Sequence, residues 1–326
     1  MRSPHPAPDG APELSVIIPV HDGADVIGLQ LASLVAQIDA PRFEVVVVDN
    51  RSSDDLAGAI EPFHETLDIR VVAAPERPGA AYARNVGIGA AHAEHLLFLD
   101  ADDSADPYAV LNTHRTLERR PVFSGSAVPV PTEAFEGGDL GTARRFSPGS
   151  PTWSEPLPQD QAYPILCGGL FGIRRSTAVE INGMDASFPW GGEDNDLAIR
   201  LTRAGYRVEV SPVITIAYRQ RPPGSVSARA HLRAGFAHAQ LCTRHGLWGR
   251  TPSTRGGRWI LEPARALAAA ALAVVRPGRA SRADLVSRFT TASGLLLGRI
   301  RFAAPALLPR PLIGCGLRPP TAPERI

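Results

Sequence analysis

The sequence predicts an α/β fold with a doubly wound, mostly parallel sheet and a helical extension at its C-terminal end. Short apolar runs alternate with segments of helical periodicity, which is the β-α-β pattern of such sheets. The runs are apolar at nearly every position, as is typical of parallel strands buried on both faces. The length of 326 residues fits one large α/β domain with an appended piece.

The predicted elements follow one another in chain order. The first strand begins at Leu14 (LSVIIPV) and leads into an amphipathic helical segment. The later elements are a strand from Phe43 to Val48, a strand from Ile69 to Ala74, a helix from Ala80 to Ala93 and a strand from His95 to Leu99. The carboxyl ends of these four strands are therefore expected to meet at one edge of the sheet.

The rest of the chain is organised differently. Residues 121–161 are rich in Pro, Gly and Ser and are predicted to form a long irregular segment with room for short strands. A second organised stretch begins at Leu166 and runs into a helix after Trp190. We therefore expect a flexible tail over residues 1–12, an α/β domain over 13–220 and a helical region over 221–326.

Composition favours some classes of protein over others. An apolar content of 44% with 21% charged residues fits a globular protein, and a net charge of +1 gives no reason to expect nucleic acid as a partner. The three cysteines are far apart and odd in number, which suits neither a disulfide framework nor a zinc site. The first residues lack the apolar core of a signal peptide, and charged residues and a proline interrupt the apolar stretch from Ile260 to Val275. A cytoplasmic location is expected.

Polar residues follow three of the predicted strands, where ligands bind in doubly wound sheets. Two of these strand ends are His21-Asp22 and Asp49-Asn50. At the third, Asp100 and Asp102 follow a buried strand, and carboxylates so placed can bind Mg²⁺ or Mn²⁺ while the ion also takes diphosphate oxygens. The alternative is a solvated loop in which an aspartate caps a helix.

A second polar cluster, Trp190-Gly191-Gly192-Glu193-Asp194, precedes a predicted helix. A capped helix start explains its carboxylates, because the helix dipole favours negative charge at that end. A carboxylate facing a cleft from the same position is also where a general base would deprotonate an acceptor hydroxyl. Arg84 lies in the first turns of another predicted helix, where it either reaches a phosphate or remains a surface arginine.

These segments, in this order, resemble the large family 2 of inverting glycosyltransferases, which has the GT-A fold. The resemblance covers about Leu14 to Val210. The matching segments are SVIIPVHDG, VVVVDNRSSDD, GAAYARNVGIGAA, LLFLDADD, GGLFGIRR and INGMD followed by WGGEDNDLAIRLTRAGYRV.

The resemblance implies a role for each matched position. Asp194 would be the catalytic base, Trp190 and Glu193 would lie on the acceptor side, and Asp102 would hold Mn²⁺ or Mg²⁺. Asn50 stands where relatives often have an aspartate that pairs with the uracil edge, so the base of the donor is left open. The implied nucleotide-sugar contacts are Pro19, Val20, His21 (stacking on the base), Asp22, Asp49, Asn50, Arg84, Asp100 and Ala101.

The implied activity is the transfer of one sugar, with inversion, from a UDP-, GDP- or dTDP-sugar to a hydroxyl of a glycan, a lipid-linked or a small-molecule acceptor. The setting would be glycan, cell-envelope or glycolipid biosynthesis.

The sequence departs from the family pattern at two places. Ala217-Tyr218-Arg219 stands where many relatives have a metal-contacting histidine, so water or diphosphate would complete the metal site. Arg255 stands where the Q-x-x-R-W motif of processive synthases has glutamine, which favours a single transfer.

Two other activities stay open. A sugar-1-phosphate nucleotidyltransferase would need a glycine-rich basic loop after the first strand, and the segment Pro19 to Asp22 is no such loop. A protein that binds sugar nucleotides without turnover would keep the same carboxylates.

The arginine-rich C-terminal region would steer an anionic acceptor, contact the inner face of an anionic membrane, or be a solvated helical cap. Its arginines include Arg229, Arg233, Arg244, Arg250, Arg255 and Arg258.

Overall fold

An eight-stranded mixed sheet forms the centre of the computed structural model, which describes residues 10–138, 140–220, 226–275 and 282–317. The strands are β1 (Leu14–Val20), β2 (Phe43–Asp49), β3 (Ile69–Ala73), β4 (His95–Leu99), β5 (Ser104–Ala105), β6 (Val122–Pro131), β7 (Leu170–Arg174) and β8 (Glu209–Gln220). Their order across the sheet is β3-β2-β1-β4-β7-β6-β8-β5. The helices are α1 (Ile27–Val35), α2 (Leu56–Ile60), α3 (Ala80–Ala90), α4 (Ala109–Leu117), α5 (Leu140–Phe146), α6 (Arg175–Glu180), α7 (Glu193–Arg203), α8 (Ala228–His245), α9 (Arg258–Val275) and α10 (Arg282–Arg301).

The half of the sheet formed by β3, β2, β1 and β4 is parallel and has a core on each face. Successive side chains of a strand point to opposite faces of the sheet. Accordingly, Val16 and Ile18 of β1 lie in one apolar core and Ile17 in the other, and all three are fully buried. The predicted α/β sheet with these four strands is confirmed.

The other half of the sheet is mixed. β7 runs antiparallel to β4 and to β6, whereas β8 is parallel to β6 and antiparallel to β5. β6 lies within the segment predicted to be irregular and, with 10 residues, is longer than that prediction allows. Its sequence VFSGSAVPVP contains glycine and prolines that usually interrupt strands. A register shift between Ser124 and Ser126 falls at the glycine, whereas Pro129 and Pro131 lie opposite Tyr218 and Gln220 of β8.

Three helices follow β8. The apolar stretch from Ile260 to Val275 lies in α9, and α10 packs between α9 and α8. In the described part of the chain no helix combines the length and the apolar character needed to cross a membrane. The predicted domain boundary at residue 221 and most of the predicted tail lie outside the described residues.

Helices α8 and α10 approach each other through glycines. A Cβ atom added to Gly235 would lie 2.0 Å from the carbonyl oxygen of Thr291, and one added to Gly294 would lie 2.0 Å from that of Leu232. Backbone atoms cannot move aside without shifting a helix. Close contact of the two helices therefore requires glycine at both positions.

We expect Gly235→Ala to lower the free energy of unfolding by about 1–3 kcal/mol, because the methyl group overpacks the α8–α10 contact. Gly28→Ala in α1 is the matched control, since its Cβ would meet nothing within 4 Å. The control should stabilise the protein by about 0.5–1 kcal/mol through helix propensity. Urea unfolding of the three proteins measures both changes, and equal stability of the two variants would contradict this packing.

The chain after α10 returns to the α/β domain. Asn85 of α3 donates its side-chain amide to the carbonyl oxygens of Met184 and Cys315, at 2.9 Å each. Its own oxygen accepts from the Met184 backbone N–H at 2.8 Å. One side chain next to Arg84 therefore fastens α3 to the turn before α7 and to residue 315.

Candidate active site

A cleft of about 750 Å³ opens at the carboxyl ends of β1, β2 and β4. This volume lies in the usual range for small-ligand sites of about 300–1,000 Å³. The predicted donor residues that line it are Pro19, Val20, His21, Asp22, Asn50, Asp100, Ala101 and Asp102. The structure thus brings these residues together, while their binding roles remain predictions.

Hydrogen bonds between two strand-end loops shape one wall of this cleft. The Asp22 carboxylate accepts from the backbone N–H of Ser53 at 2.7 Å, and Ala24 N–H donates to Asp54 at 2.7 Å. The bonds from Ser53 lower the pKa of Asp22. Asp49 accepts from the Ser52 N–H at 2.9 Å. Asp22 and Asp49 therefore have structural roles in holding the loops, in addition to the nucleotide contacts predicted for them.

Asn50 holds the loop that leads into α3. Its amide donates to the carbonyl oxygens of Ala74 and Arg77 at 2.6 and 2.7 Å, and its oxygen accepts from Gly79 N–H at 2.8 Å. Gly79 has a φ of 119°, which favours glycine. Because both amide hydrogens are taken by the backbone, Asn50 has none left to donate to a base. The predicted base contact could use only its oxygen.

The carboxylates that follow β4 differ in their surroundings. Asp100 accepts from Arg84 at 2.8 Å, and Asp102 is half-buried in the cleft wall. Asp103 is buried and accepts from the Arg219 backbone N–H at 2.9 Å; burial raises its pKa to about 8. Arg219 also donates its Nε to the carbonyl oxygen of Asp102 at 2.9 Å. Arg219, in the segment Ala217-Tyr218-Arg219 that stands where many relatives would have a histidine, thus fixes the Asp102 loop, a role that sequence reasoning missed.

Arg84 lies between the larger cleft and the start of α7, with its side chain only 4% exposed. Its Nη2 donates to Asp100 at 2.8 Å and to the Gly168 carbonyl at 2.9 Å, and its Nη1 donates to Glu193 at 3.2 Å. Burial alone would lower the pKa of Arg84, but Asp100, Glu193 and Asp194 outweigh it and raise that pKa. Arg84 is therefore a cation that links the two predicted carboxylate clusters, and its predicted contact with nucleotide remains untested.

A second cavity of about 390 Å³ adjoins this link and is lined by Arg84, Asp100, Glu193 and Asp194. Asp100 also lines the larger cleft, so the larger cleft and the smaller cavity meet at that residue. The raised pKa of Asp194, about 6, results first from burial and then from repulsion by Glu193. A carboxyl group with this pKa is ionised near neutral pH yet basic enough to accept a proton.

Two consecutive glycines pass between these carboxylates. A Cβ on Gly168 would lie 2.9 Å from Asp194 Oδ2, and one on Gly169 would lie 2.9 Å from Asp100 Oδ2. The sequence motif GGLFGIRR contains both, but local pattern alone gave them no role. Their missing side chains make room for the two carboxyl groups.

The start of α7 places Glu193 and Asp194. Gly191 and Gly192 have φ values of 99° and 97°, a backbone region that favours glycine, so the chain can turn sharply into the helix. Trp190 is 41% exposed and contacts Phe236 of α8 edge to face, with ring centroids 5.2 Å apart. Trp190 is thus beside α8 rather than in the lining of the smaller cavity, and its acceptor role stays a prediction.

A buried chain of polar contacts fixes α7 to α8. Asp196 accepts from His245 Nε2 and from Arg200 Nε, both at 2.8 Å, and Arg203 contacts His245 Nδ1 at 2.9 Å. Burial raises the pKa of Asp196, but the bonds from His245 and Arg200 outweigh it and lower that pKa. Sequence reasoning assigned Asp196 and His245 no function, and their contacts support the helix that carries Asp194.

The larger cleft contains carboxylates that could contribute to the binding of a divalent cation. Within residues 10–138, 140–220, 226–275 and 282–317, no three His, Cys, Asp or Glu side chains are grouped to hold a metal ion. Asp103 is buried against Arg219 and is not part of the cleft lining, whereas Asp102 lies in that lining and could contact such an ion. Mg²⁺ is commonly bound by one or two carboxylates together with substrate phosphates. The residues present therefore fit a metal that arrives with a diphosphate.

Comparison with known proteins identifies the family. The family model of glycosyl transferase family 2 matches residues 15–181, and the model described as the N-terminal domain of galactosyltransferase matches residues 151–221. Since the first model covers half of the sequence, the chain belongs to glycosyl transferase family 2.

Two curated relatives are similar over part of their length. The chain is 30% identical over 207 residues to polypeptide N-acetylgalactosaminyltransferase 6 of Homo sapiens, covering 55% of this chain and 33% of that protein. It is 30% identical over 265 residues to the pre-mycofactocin glycosyltransferase of Mycobacterium tuberculosis, covering 74% of this chain and 50% of that protein. The chain therefore spans a third to a half of the length of these relatives.

Two solved structures share the fold. One is the mannosyltransferase PcManGT from Pyrobaculum calidifontis in complex with GDP-Man and Mn²⁺, with TM-score 0.57, 22% identity and coverage of 91% of this chain and 88% of that one. The other is GalNAc-T7 with UDP, GalNAc and Mn²⁺, with TM-score 0.54, 16% identity and coverage of 91% and 57%. The predicted GT-A type of α/β fold is confirmed.

Proposed function

We propose that this protein is an inverting glycosyltransferase that moves one sugar from a nucleoside-diphosphate sugar to an acceptor hydroxyl. The observation that carries the proposal is the Arg84 bridge, which joins Asp100 of the larger cleft to Glu193 of the smaller cavity. The larger cleft, which has the size of a nucleotide site, meets the cavity lined by Asp194 at Asp100. This arrangement supports a donor site beside a carboxylate that would accept a proton. Family membership and relatives named as glycosyltransferases support sugar transfer, and inversion is our own addition to it.

The larger cleft would hold the donor. His21 has a side chain 65% exposed at the cleft and would contact the base, while Asp100 and Ala101 would lie towards the ribose and diphosphate. Asp102 would hold Mn²⁺ or Mg²⁺, which supplies charge neutralisation for the departing diphosphate. The mannosyltransferase and GalNAc-T7 complexes contain Mn²⁺, which supports the use of a divalent cation but names no ligand residue.

The smaller cavity would receive the acceptor hydroxyl. Asp194 takes the hydroxyl proton while the oxygen attacks the anomeric carbon from the side opposite the diphosphate. The bond between the anomeric carbon and the diphosphate oxygen breaks, and the nucleoside diphosphate leaves with the bonding electrons. Glu193 would lie beside the acceptor hydroxyl in this cavity, whereas Trp190 lies outside the cavity lining and would contact a part of the acceptor beyond it. The acceptor itself, a glycan, a lipid-linked or a small hydroxyl compound, is left to experiment.

The test is release of nucleoside diphosphate from UDP-, GDP- and dTDP-sugars in the presence of Mn²⁺ and a mixture of hydroxyl acceptors. We expect turnover with one donor class, and NMR of the product should show the anomeric configuration opposite to that of the donor. A product that retains the donor configuration would contradict inversion. Donor binding without release under all these conditions would favour the sugar-nucleotide-binding alternative.

We expect Gly168→Ala to reduce the turnover number at least tenfold while stability changes little. The added methyl would lie 2.9 Å from Asp194 Oδ2, and because that atom ends a flexible side chain, the carboxyl group would move rather than the backbone. A displacement of about 1 Å at a reacting group can cost about a hundredfold in rate. Steady-state kinetics beside urea unfolding would check this; unchanged turnover would place Asp194 away from the reaction.

A further inference from the structure

The two parts of the sequence have opposite charge. Residues 221–326 contain seventeen arginines and three acidic residues, which gives a formal net charge of +14. Residues 1–220 contain seventeen arginines and thirty acidic residues, which gives −13. The total of +1 conceals this asymmetry. Charge concentrated in one region indicates an anionic partner for that region.

Much of this positive charge faces solvent. Among the described arginines of the region, Arg244 pairs with Asp185 and Arg288 pairs with Glu262. Others are exposed, namely Arg229, Arg250, Arg255, Arg265 and Arg310. Arginine is suited to phosphate, because its planar guanidinium can donate two parallel hydrogen bonds.

Helix α9 exposes an apolar face. Ile260, Leu261 and Leu267 are 53%, 57% and 56% exposed, and Ala264 is exposed between them. At 100° per residue, Ile260, Ala264 and Leu267 fall within about 60° of one another around the helix. Arg265 is exposed at the edge of this face. The opposite face contains the buried Ala266 and the half-buried Trp259, which packs on α10.

Helix α10 repeats the pattern. Val286, Leu297 and Ile300 are 48%, 51% and 65% exposed and lie on one side of the helix, with the exposed Arg301 at its edge. Of the sixteen large apolar side chains that are exposed among the described residues, eight lie between residues 260 and 313. Apolar exposure is thus concentrated in the same region as the positive charge.

We propose that the α9–α10 face, formed by Ile260, Leu261, Leu267, Val286, Leu297 and Ile300, binds the surface of a bilayer that contains anionic lipid. Among the side chains that the structure describes in α9 and α10, the exposed large apolar ones lie on one side of each helix and the buried ones on the other, so both helices would lie along the membrane plane. Such helices insert their apolar face at the boundary of headgroups and acyl chains, and their basic residues meet anionic headgroups. Nucleic acid would engage the arginines but leave the apolar face without a partner.

Co-sedimentation of the full chain with vesicles tests the proposal without requiring sugar transfer. We expect stronger binding to vesicles that contain phosphatidylglycerol in phosphatidylcholine than to vesicles of phosphatidylcholine alone, and weaker binding as the salt concentration rises. Ile260→Ser/Leu267→Ser should weaken binding to the anionic vesicles about tenfold or more, because two apolar side chains lose their burial. Arg255→Gln/Arg265→Gln should remove part of the salt dependence.

The matched control is Val179→Ser/Arg207→Gln, which changes an exposed valine and an exposed arginine in the α/β domain. It should bind vesicles as the wild type does, and circular dichroism should show all variants folded. No binding to anionic vesicles, or equal loss in the control, would overturn the proposal. So would tight binding to duplex DNA without vesicle binding, or a dimer in solution that the Ile260→Ser/Leu267→Ser variant dissociates.

Discussion

Asp194→Asn should reduce the turnover number by about 10²–10⁴-fold, the range expected when a general base is removed. The substitution keeps the shape of the side chain and its oxygen, which accepts from the Asn195 backbone N–H at 2.7 Å. It removes the group that would take the acceptor proton. Steady-state kinetics with the identified donor measure the loss, and calorimetry should show donor affinity near that of the wild type.

The pH dependence provides the control for this variant. Burial and the nearby Glu193 raise the pKa of Asp194 to about 6, and a base is active only when it is deprotonated. The kcat/KM of the wild type should therefore fall as the pH drops below about 6 and reach a plateau above it. The residual activity of Asp194→Asn should lack that limb. A variant that keeps more than a tenth of the turnover, or the same acid limb, would exclude Asp194 as the base.

Arg84→Met should lower the free energy of unfolding by about 3–5 kcal/mol, as is typical when one partner of a buried ion pair is removed. The methionine fills a similar volume, but Glu193, whose side chain is 11% exposed, loses its cation. Asp100 is 36% exposed and can be solvated more readily. Most of the cost should therefore come from Glu193, and urea unfolding measures it.

Two further variants separate the buried pair from ordinary surface charge. Arg84→Met/Glu193→Gln should recover part of the lost stability, because the neutral amide is less costly to bury than an unpaired carboxylate. Arg119 forms an exposed ion pair with Glu118, in which the arginine side chain is 51% exposed and the glutamate side chain 52%. Removing this pair in Arg119→Met should change the free energy of unfolding by less than about 1 kcal/mol. If Arg84→Met lowered the free energy of unfolding no more than Arg119→Met does, the ion pairs of Arg84 would contribute little to stability.

Local pattern was sufficient to predict the parallel half of the sheet and the polar strand ends. The runs that became β1, β2 and β4 are apolar because both sides of each strand are buried, and this property is visible residue by residue. Strand direction then places residues such as His21 and Asp100 at one edge of the sheet, where both line the larger cleft. Strand β6 was not predicted because glycine and prolines are typical of loops. In the structure, pairing with β7 and β8 keeps this segment extended.

Contacts between distant residues could not be predicted in the same way. Arg84 and Glu193 are 109 positions apart, and nothing in either local motif pairs them. One signal was available: Arg84 lies in the apolar stretch AAYARNVGIGAA, and an arginine in a buried helix needs carboxylate partners. The amide of Asn50 and the guanidinium of Arg219 are occupied by the backbone of other segments, which again depends on the folded chain.

The larger cleft is proposed to bind a nucleoside-diphosphate sugar with Asp102 at the diphosphate. Calorimetric titration with UDP-, GDP- and dTDP-sugars, with and without Mn²⁺, tests it most directly. We expect one donor class to bind one molecule per chain, more tightly with Mn²⁺, and we expect Asp102→Ala to lose the gain from the metal. If none of the donors binds the wild type with Mn²⁺ present, the account of the cleft is wrong.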